Sequence, residues 1–496
     1  MTAPLGRRLA ARAVPTSSTA VVEETGARDA ATRYLVAPRL VPPLDPAFRP
    51  AVLARRSLQA AIRQAGGGRS VALAVEQPGG SVSARETTVF DDDDPHVEAS
   101  YAFCERMLKS MLWSHGGSRI WVDGPPALVA FLQHHYQVKP TGRFDARILG
   151  VEVYLAHLEV MTADRRDFPS STEATSLLGR HLDGCRIGFD LGASDRKAAA
   201  VIDGKVVFSE ETAWDPAGHA DPQWHFEQIN DSLLRAAAHL PRVDAIGGSA
   251  AGVYVNGEIR VASLFRSVPR DLFDRRVRGL FGELQQAWKG IPFVVVNDGE
   301  VTALAGAMLT GVGGLLGVAM GSSEAAGYVT PAGALTSQLD ELAFAPIDYA
   351  PTAPIDEWSG DRGCGVQYLS QQAAGRLMAP AGIEVEPGVS LPDRLVILQG
   401  LMAGGDARAE RVYETIGTYL GYALLEYRDF YDFDHLLLLG RVMTGAGGDV
   451  ITEQAREAMQ AEGRTAESAV TFHTVSEQEK RHGQAVAAAS LPEIHS

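Results

Sequence analysis

The chain has 496 residues, more than one small fold absorbs at roughly 150 residues per domain. Hydrophobic residues make up 46% and charged residues 21%, which excludes a disordered chain or a fibrous repeat. The 45 Lys and Arg face 61 Asp and Glu, a net charge of -16, so neither a nonspecific nucleic-acid surface nor an anionic-membrane surface is expected.

Cys104, Cys185 and Cys364 are the only cysteines. They are too few and too far apart for a disulfide scaffold or a self-contained thiolate zinc site, and they suit a reducing compartment. No run reaches the roughly 20 apolar residues of a membrane span. The expectation is a cytoplasmic protein with no nucleic-acid partner and no membrane partner.

In chain order, residues 1–40 read as a flexible leader, because Arg12 and Pro15 interrupt the alanines before a signal-type apolar run forms. Residues 41–180 read as an accessory α/β region. VALAVEQPGG and SVSARETTVF predict strand, turn and strand, and DDDDP at 91–95 a solvated turn. HVEASYAFCERMLKSMLWSHGG has helical spacing that stops at Gly116 and Gly117. SRIWVDGPPALVAFLQHHY adds a strand, a turn and a helix, and FDARILGVEVYLAHLEVM a further strand-like run. No helix-turn-helix pattern stands out, and the region by itself names no function.

From Cys185 the pattern sharpens. CRIGFDLGASDRKAAAVIDGKVVFSEE predicts three strands joined by a glycine turn and an Asp-Gly hairpin. A helix follows over 224–240, then strand, turn and strand in VDAIGGSAAGVYVNGEI, then strand, polar turn and helix in IPFVVVNDGEVTALAGAML. GVGGLLGVAMGSSEAAGYVTPAGAL begins the pattern again, with a long helix over 406–429, a buried strand in DHLLLLG and a helix over 449–461. The repetition suggests two related lobes facing a cleft, 181–310 and 311–496, with the C-terminal helix able to pack back on the first.

DLGASD at 190–195, AIGGSAAGVYVNGEI at 245–259, VVNDGEVTALAGA at 295–307, GVAMGSSEAAGYV at 317–329, GDARAERVYETIGTYLGYAL at 405–424 and LLLLGRVMTGAGGDV at 436–450 occur together and in order. In this respect the stretch from about 185 to 490 resembles the ROK family of repressors, open-reading-frame proteins and sugar kinases. The resemblance implies an α/β fold of the two-lobed actin-like ATPase (ribonuclease H-like) type, here with an additional N-terminal α/β region. It also implies ATP-dependent phosphorylation of a sugar or another polyhydroxylated small molecule, with ATP and Mg²⁺ as cofactors. A homo-oligomer is expected.

Asp190, at the end of its strand, can orient Mg²⁺ or its waters, while Gly192 allows close backbone approach and Ser194 supplies a donor. Gly321, Ser322 and Ser323 form a small-residue turn suited to phosphate. The resemblance adds Gly440, Arg441 and Gly445 at the nucleoside. Asp298, directly after VVVN, is placed to accept a substrate hydroxyl's proton, with Asn297 able to orient a polar substrate; the resemblance adds Glu300 and Glu341 as substrate contacts.

The departures are equally specific. The first loop is DLGAS where the family has a form near DxGGT, and Glu324 and paired alanines interrupt a loop usually richer in glycine. Glu300 replaces an amide, Phe344 stands where the family has histidine, and Cys364 alone remains of a CxCGxxGC motif, so no zinc site is expected. The alternative from a different class is a noncatalytic ligand-responsive or scaffold protein with a degenerate nucleotide site.

Overall fold

The computed structural model describes residues 24–172, 175–176, 178–462, 469–474 and 477–494. The chain folds as two units: one comprises the residues up to Ala174 together with Phe344–Gln367, the other Thr175–Ala343 and the residues from Tyr368 onward.

The first unit contains α1 (Glu24–Ala31), α2 (Ala51–Gln64), β1 (Arg69–Glu76), β2 (Val82–Val89), α3 (Val97–Ser114), β3 (Arg119–Asp123), α4 (Pro126–Val138), α5 (Pro140–Asp145) and β4 (Glu159–Thr162). Its sheet has the order β2-β1-β3-β4, with β1 antiparallel to β2 and β3, and β3 parallel to β4. Helix α3 is buried on nearly every side, Leu108, Met111 and Leu112 completely, which makes it the centre of this unit.

Three sequence expectations change here. Residues 24–34, read as leader, form α1 and a 3-10 turn; Ala27 is fully buried and Tyr34 packs on Phe90 and Phe103. The strand-like run after Phe144 is instead wound as a π-helix over Ala146–Val153, which buries Ile148, Leu149 and Val153 together. Residues 344–367, read as part of the second lobe, belong to the first unit. Phe344 lies 4.3 Å from the Trp113 ring, and Asp361 pairs with Arg106 and Lys109 of α3, so aromatic and ionic contacts hold the segment there.

The second unit contains β5 (Thr175–Ser176), β6 (Cys185–Leu191), β7 (Asp195–Ile202), β8 (Lys205–Ala213), α6 (Pro222–Ala237), β9 (Ala245–Ala250), β10 (Val253–Val255), β11 (Glu258–Val261), α7 (Arg270–Leu272), α8 (Leu280–Ala287), β12 (Phe293–Asn297) and α9 (Asp298–Thr310). It continues with β13 (Leu315–Met320), β14 (Glu324–Val329), β15 (Leu335–Thr336), α10 (Gln371–Leu377), α11 (Leu391–Ala403), α12 (Ala407–Tyr427), β16 (His435–Leu439), α13 (Ala446–Glu462), β17 (Thr471–His473) and α14 (Glu477–Ala489).

Its two principal sheets repeat one topology. In β12-β9-β6-β7-β8, the first strand in sequence is central, two antiparallel strands follow on one side, and two parallel strands add on the other. In β17-β16-β13-β14-β15-β5, the same arrangement recurs, and β5 extends its edge by pairing with β15. The unit therefore starts at β5, a few residues before the boundary read from the sequence. Its fold is α/β and two-lobed.

Helix α14 lies against β6, β9 and α9. It approaches so closely that a Cβ on Gly247 would stand 1.8 Å from the Ala488 carbonyl oxygen, so any side chain there would push the helix off the sheet. Helices α9 and α14 share one apolar core with β12, β13 and β16, built on Val301, Leu304, Leu315, Leu437 and Ala488. No described helix is long and apolar enough to cross a membrane.

Candidate active site

Strands β6, β9 and β12 run parallel, and their carboxyl ends stand in register: Asp190 opposite Ser249, and Ser249 opposite Val296. Two strand spacings, roughly 10 Å, therefore separate Asp190 from the strand that delivers Asp298. The ends of parallel strands are where open α/β sheets present binding groups, because the loops leaving them diverge. Ser249 between them is fully buried, and its hydroxyl has no hydrogen-bond partner among the described residues.

Asp190 faces a residue that sequence reasoning passed over. Lys197 is its direct partner across the β6–β7 hairpin, with Nζ 3.4 Å from Asp190 Oδ2 and 3.0 Å from Asp195 Oδ1. Burial works against the Lys197 charge, but Asp190 and Asp195 outweigh it and raise its pKa. The signal was the tight hairpin itself, which sets Asp190 and Lys197 on opposite strands at one rung. The turn is pinned by Trp214, whose Nε1 donates to the Gly192 carbonyl at 2.8 Å and whose backbone N–H donates to the Ser194 carbonyl at 3.1 Å. Ser194 Oγ donates to Asp195 Oδ2 at 3.0 Å.

Asp298 is the first residue of α9, and Asn297 is its N-cap. Asn297 Oδ1 accepts from the Gly299 N–H at 2.7 Å, and Glu300 Oε2 accepts from the Asn297 N–H at 3.0 Å, completing a capping box. The Asn297 amide also donates through Nδ2 to the Gly252 carbonyl at 2.7 Å. Both ends of that amide thus serve the local fold. Asp298 Oδ1 accepts from the Gly299 N–H at 3.0 Å, which holds the carboxylate at the helix start.

Around Asp298 the chain gathers acids. Burial, then Asp340 and Asp298, push the Glu300 carboxyl up to about 8 against the opposing bond from Asn297. Burial, then Asp298 and Asp340, push Glu341 up to about 7. Asp340, buried and at φ +55, accepts from the Tyr431 hydroxyl at 2.8 Å. Burial and the neighbouring acids thus favour the protonated form of Glu300, a carboxyl that can both donate and accept. Phe344 does not join this group; its ring packs with Trp113, Phe144 and Trp358 in the first unit.

The β13–β14 turn presents Gly321, Ser322 and Ser323, both serines exposed. The Gly321 N–H donates to the Ser323 carbonyl, and its own carbonyl accepts from the Gln371 N–H, each at 2.9 Å. Glu324 does not stand in this turn's opening. It is 2% exposed and accepts from the Tyr427 hydroxyl of α12 at 2.9 Å. Burial, opposed by that bond and reinforced by Glu341, pushes it up to about 8.

A carboxyl with a native pKa above its ordinary 4.5 costs the folded state stability as pH rises from 4.5 toward 8. At pH 7 holding that proton costs about 3 kcal/mol. Glu324→Gln is thus expected to stabilise the second unit at pH 7–8 and to change little at pH 5. Urea unfolding across that range checks it, and a variant less stable than wild type at pH 8 would count against it.

Gly440 follows β16 at φ +97, where a Cβ would stand 2.4 Å from the Met320 carbonyl oxygen; this glycine is required by the approach of two strand ends. Gly445, at φ +75, faces open space just before α13. Arg441 is exposed, and its carbonyl accepts from Gln399 Nε2 at 2.8 Å.

No protein-family model and no curated protein matches the sequence. Solved structures do. A ROK family transcriptional regulator, a homolog of the E. coli MLC protein, matches 63% of this chain and 79% of its own at 19% identity, with a TM-score of 0.51. The fold is the two-lobed, actin-like one. Also similar are a ROK hexokinase from Thermus thermophilus, at 20% identity over 61% of this chain and 97% of its own with a TM-score of 0.48, and a ROK family glucokinase from Streptomyces griseus in complex with glucose and AMPPNP, at 19% over 62% and 99% with 0.46.

Proposed function

We propose that the protein is an ATP-dependent kinase of a sugar or another polyhydroxylated small molecule, a divergent ROK-like member of the actin-like superfamily. The observation that carries this reading is Asp298 at the mouth of β12, two strands from the Asp190–Lys197 pair and beside Glu300 and Glu341, whose carboxyls are both pushed up by burial and neighbouring acids.

The residues present fit Mg-ATP. The exposed Ser322–Ser323 turn and the Lys197 ammonium offer donors for phosphate oxygens, Asp190 an acidic oxygen for a hydrated Mg²⁺, and the open Gly445 turn with Arg441 room for the nucleoside. Bound nucleotide supplies the transferable phosphoryl group. Asp298 accepts the acceptor hydroxyl's proton, and Glu300 and Glu341 orient that hydroxyl and its neighbours by hydrogen bonds.

The test is product formation from a panel of sugars and polyols with Mg-ATP, read beside calorimetric nucleotide binding. Binding of ATP with no product from any acceptor would favour the noncatalytic, ligand-responsive reading instead. No binding of ATP or a nonhydrolysable analogue at millimolar concentration would reject the kinase reading and leave the noncatalytic one with a degenerate nucleotide site.

Because protonated Glu300 mimics an amide, Glu300→Gln should retain activity near pH 7 and remove any loss of acceptor affinity that wild type shows above pH 8. Glu300→Ala should change the preference among acceptors. Equal acceptor profiles for Glu300→Ala and wild type would exclude the residue from substrate binding.

No structural zinc is proposed. Cys364 is buried, and its thiol is pushed up to about 12 by burial first and Asp361 second. Metal analysis after mild purification should show zinc well below one equivalent per chain. A tightly bound equivalent lost in Cys364→Ser would overturn this.

A further inference from the structure

The first unit holds a cavity of about 500 Å³ between α1, the middle of α3, residues 139–141 and the turns at 348–351 and 360–362. In a chain of net charge -16, its lining is notable for cations: Arg28, Arg106, Lys139 and Arg362.

Two of these are committed. Arg106 binds Glu105 through Nε and Nη2 at 2.7 and 2.6 Å and Asp361 through Nη1 at 2.8 Å, and Arg28 approaches Glu105 and Asp361 at 3.7 and 4.0 Å. The other two are not. Lys139 and Arg362 make no ion pair among the described residues; Arg362 Nη1 donates to the Ala353 carbonyl at 2.9 Å.

The acidic lining does not answer them. Asp29 sits on the exposed rim, and Asp348 Oδ1 accepts from the N–H groups of Arg49 and Ala350 at 2.9 and 2.8 Å. One wall is apolar and aromatic, with Phe103 and Tyr349 packed edge to face, ring centroids 5.6 Å apart. A concave, largely apolar pocket with a few convergent charged groups is the usual form of a small-molecule site.

We infer that this cavity binds a small organic anion, a carboxylate or phosphate ester on an apolar or aromatic body. The body lies on Phe103 and Tyr349, and the anionic group lies between Lys139 and Arg362. This site is independent of the kinase reading, since every residue in it belongs to the first unit.

Calorimetry of the full chain with phenyl phosphate, benzyl alcohol and benzylamine tests the assignment. Phenyl phosphate should bind saturably with a millimolar or tighter Kd, and the other two should not. Lys139→Ala and Arg362→Ala should each weaken binding about 10-fold or more, since a hydrogen bond to a charged group is lost. Lys205→Ala, which removes an exposed charge in the second unit, should leave binding unchanged. Both site variants alter partly or fully exposed side chains, so circular dichroism should match wild type. No saturable binding of phenyl phosphate, equal binding of benzylamine, or phenyl phosphate binding that survives both site substitutions would overturn the assignment.

Discussion

Asp298→Asn is expected to lower turnover by about 10²- to 10⁴-fold while leaving the fold and ATP affinity in place. The substitution changes almost no volume at the first position of α9, and the side-chain oxygen can still accept from the Gly299 N–H. The charge favourable to the helix N-terminus is lost, but at this half-buried position that interaction is worth at most about 2 kcal/mol. Loss of a proton acceptor raises the barrier by roughly 3 to 5 kcal/mol.

The defect should therefore appear in kcat, with the nucleotide Kd unchanged. A second signature separates it from general damage. Asp298 raises the pKa of both Glu300 and Glu341, so removing its charge should move the alkaline limit of acceptor binding to lower pH. Wild-type turnover by folded Asp298→Asn would reject the proposed base.

What was legible in the sequence was local. Period-two alternation and turn chemistry located β6, β7 and β8, and the Asp203-Gly204 pair at φ 45 and 77 is the hairpin its sequence announced. The same signals put Asp190 and Asp298 at strand ends. Lys197 was within reach of the same reasoning, since a tight hairpin after Asp190 fixes the opposing rung. Glu341 was reached only through the family resemblance, and Asp340 and Tyr431 were not reached at all, because they come from distant segments and no local pattern ties them to β12.

The same limit explains the segment 344–367. Its allegiance is decided by Asp361 meeting Arg106, 255 positions away, and by the Phe344 ring packing on Trp113. The π-helix at 146–153 was hidden differently: the apolar run suits a strand, but Asp145 receives Lys109 Nζ at 2.8 and 2.9 Å and Trp113 Nε1 at 3.0 Å, anchoring the residue from which the wound segment continues.

Asp361→Asn should be the most damaging single change in the first unit. Glu105, Asp145 and Asp361 are at most 1% exposed and face Lys109, which is wholly buried, and Arg106, which is 11% exposed. Burial alone would raise the Asp361 pKa, but Arg106, then Lys109 and Arg28, hold it well below the ordinary carboxylate range. Its other oxygen accepts from the Arg362 N–H at 2.8 Å. The amide keeps the shape and removes the charge: Arg106 retains Glu105 and Lys109 retains Asp145, but each loses its ionic contact to Asp361, as does Arg28, in a site that water cannot relieve.

Breaking a buried pair by removing one partner costs about 3 to 5 kcal/mol, far more than the pair contributes over an apolar replacement. Two units make a single melting temperature ambiguous, so the readout is amide exchange in α3, which carries Glu105, Arg106 and Lys109. Exchange through unfolding of this unit should accelerate by at least about 100-fold, with α12 in the second unit unaffected. The sign with pH follows from the lowered pKa: the stabilisation is complete above the unfolded carboxylate value near 4 and is lost as pH falls through the native one. In acid, wild type should therefore approach the variant, whereas a constant difference between them down to pH 2 would show that the charge of Asp361 is not what holds 344–367 on α3.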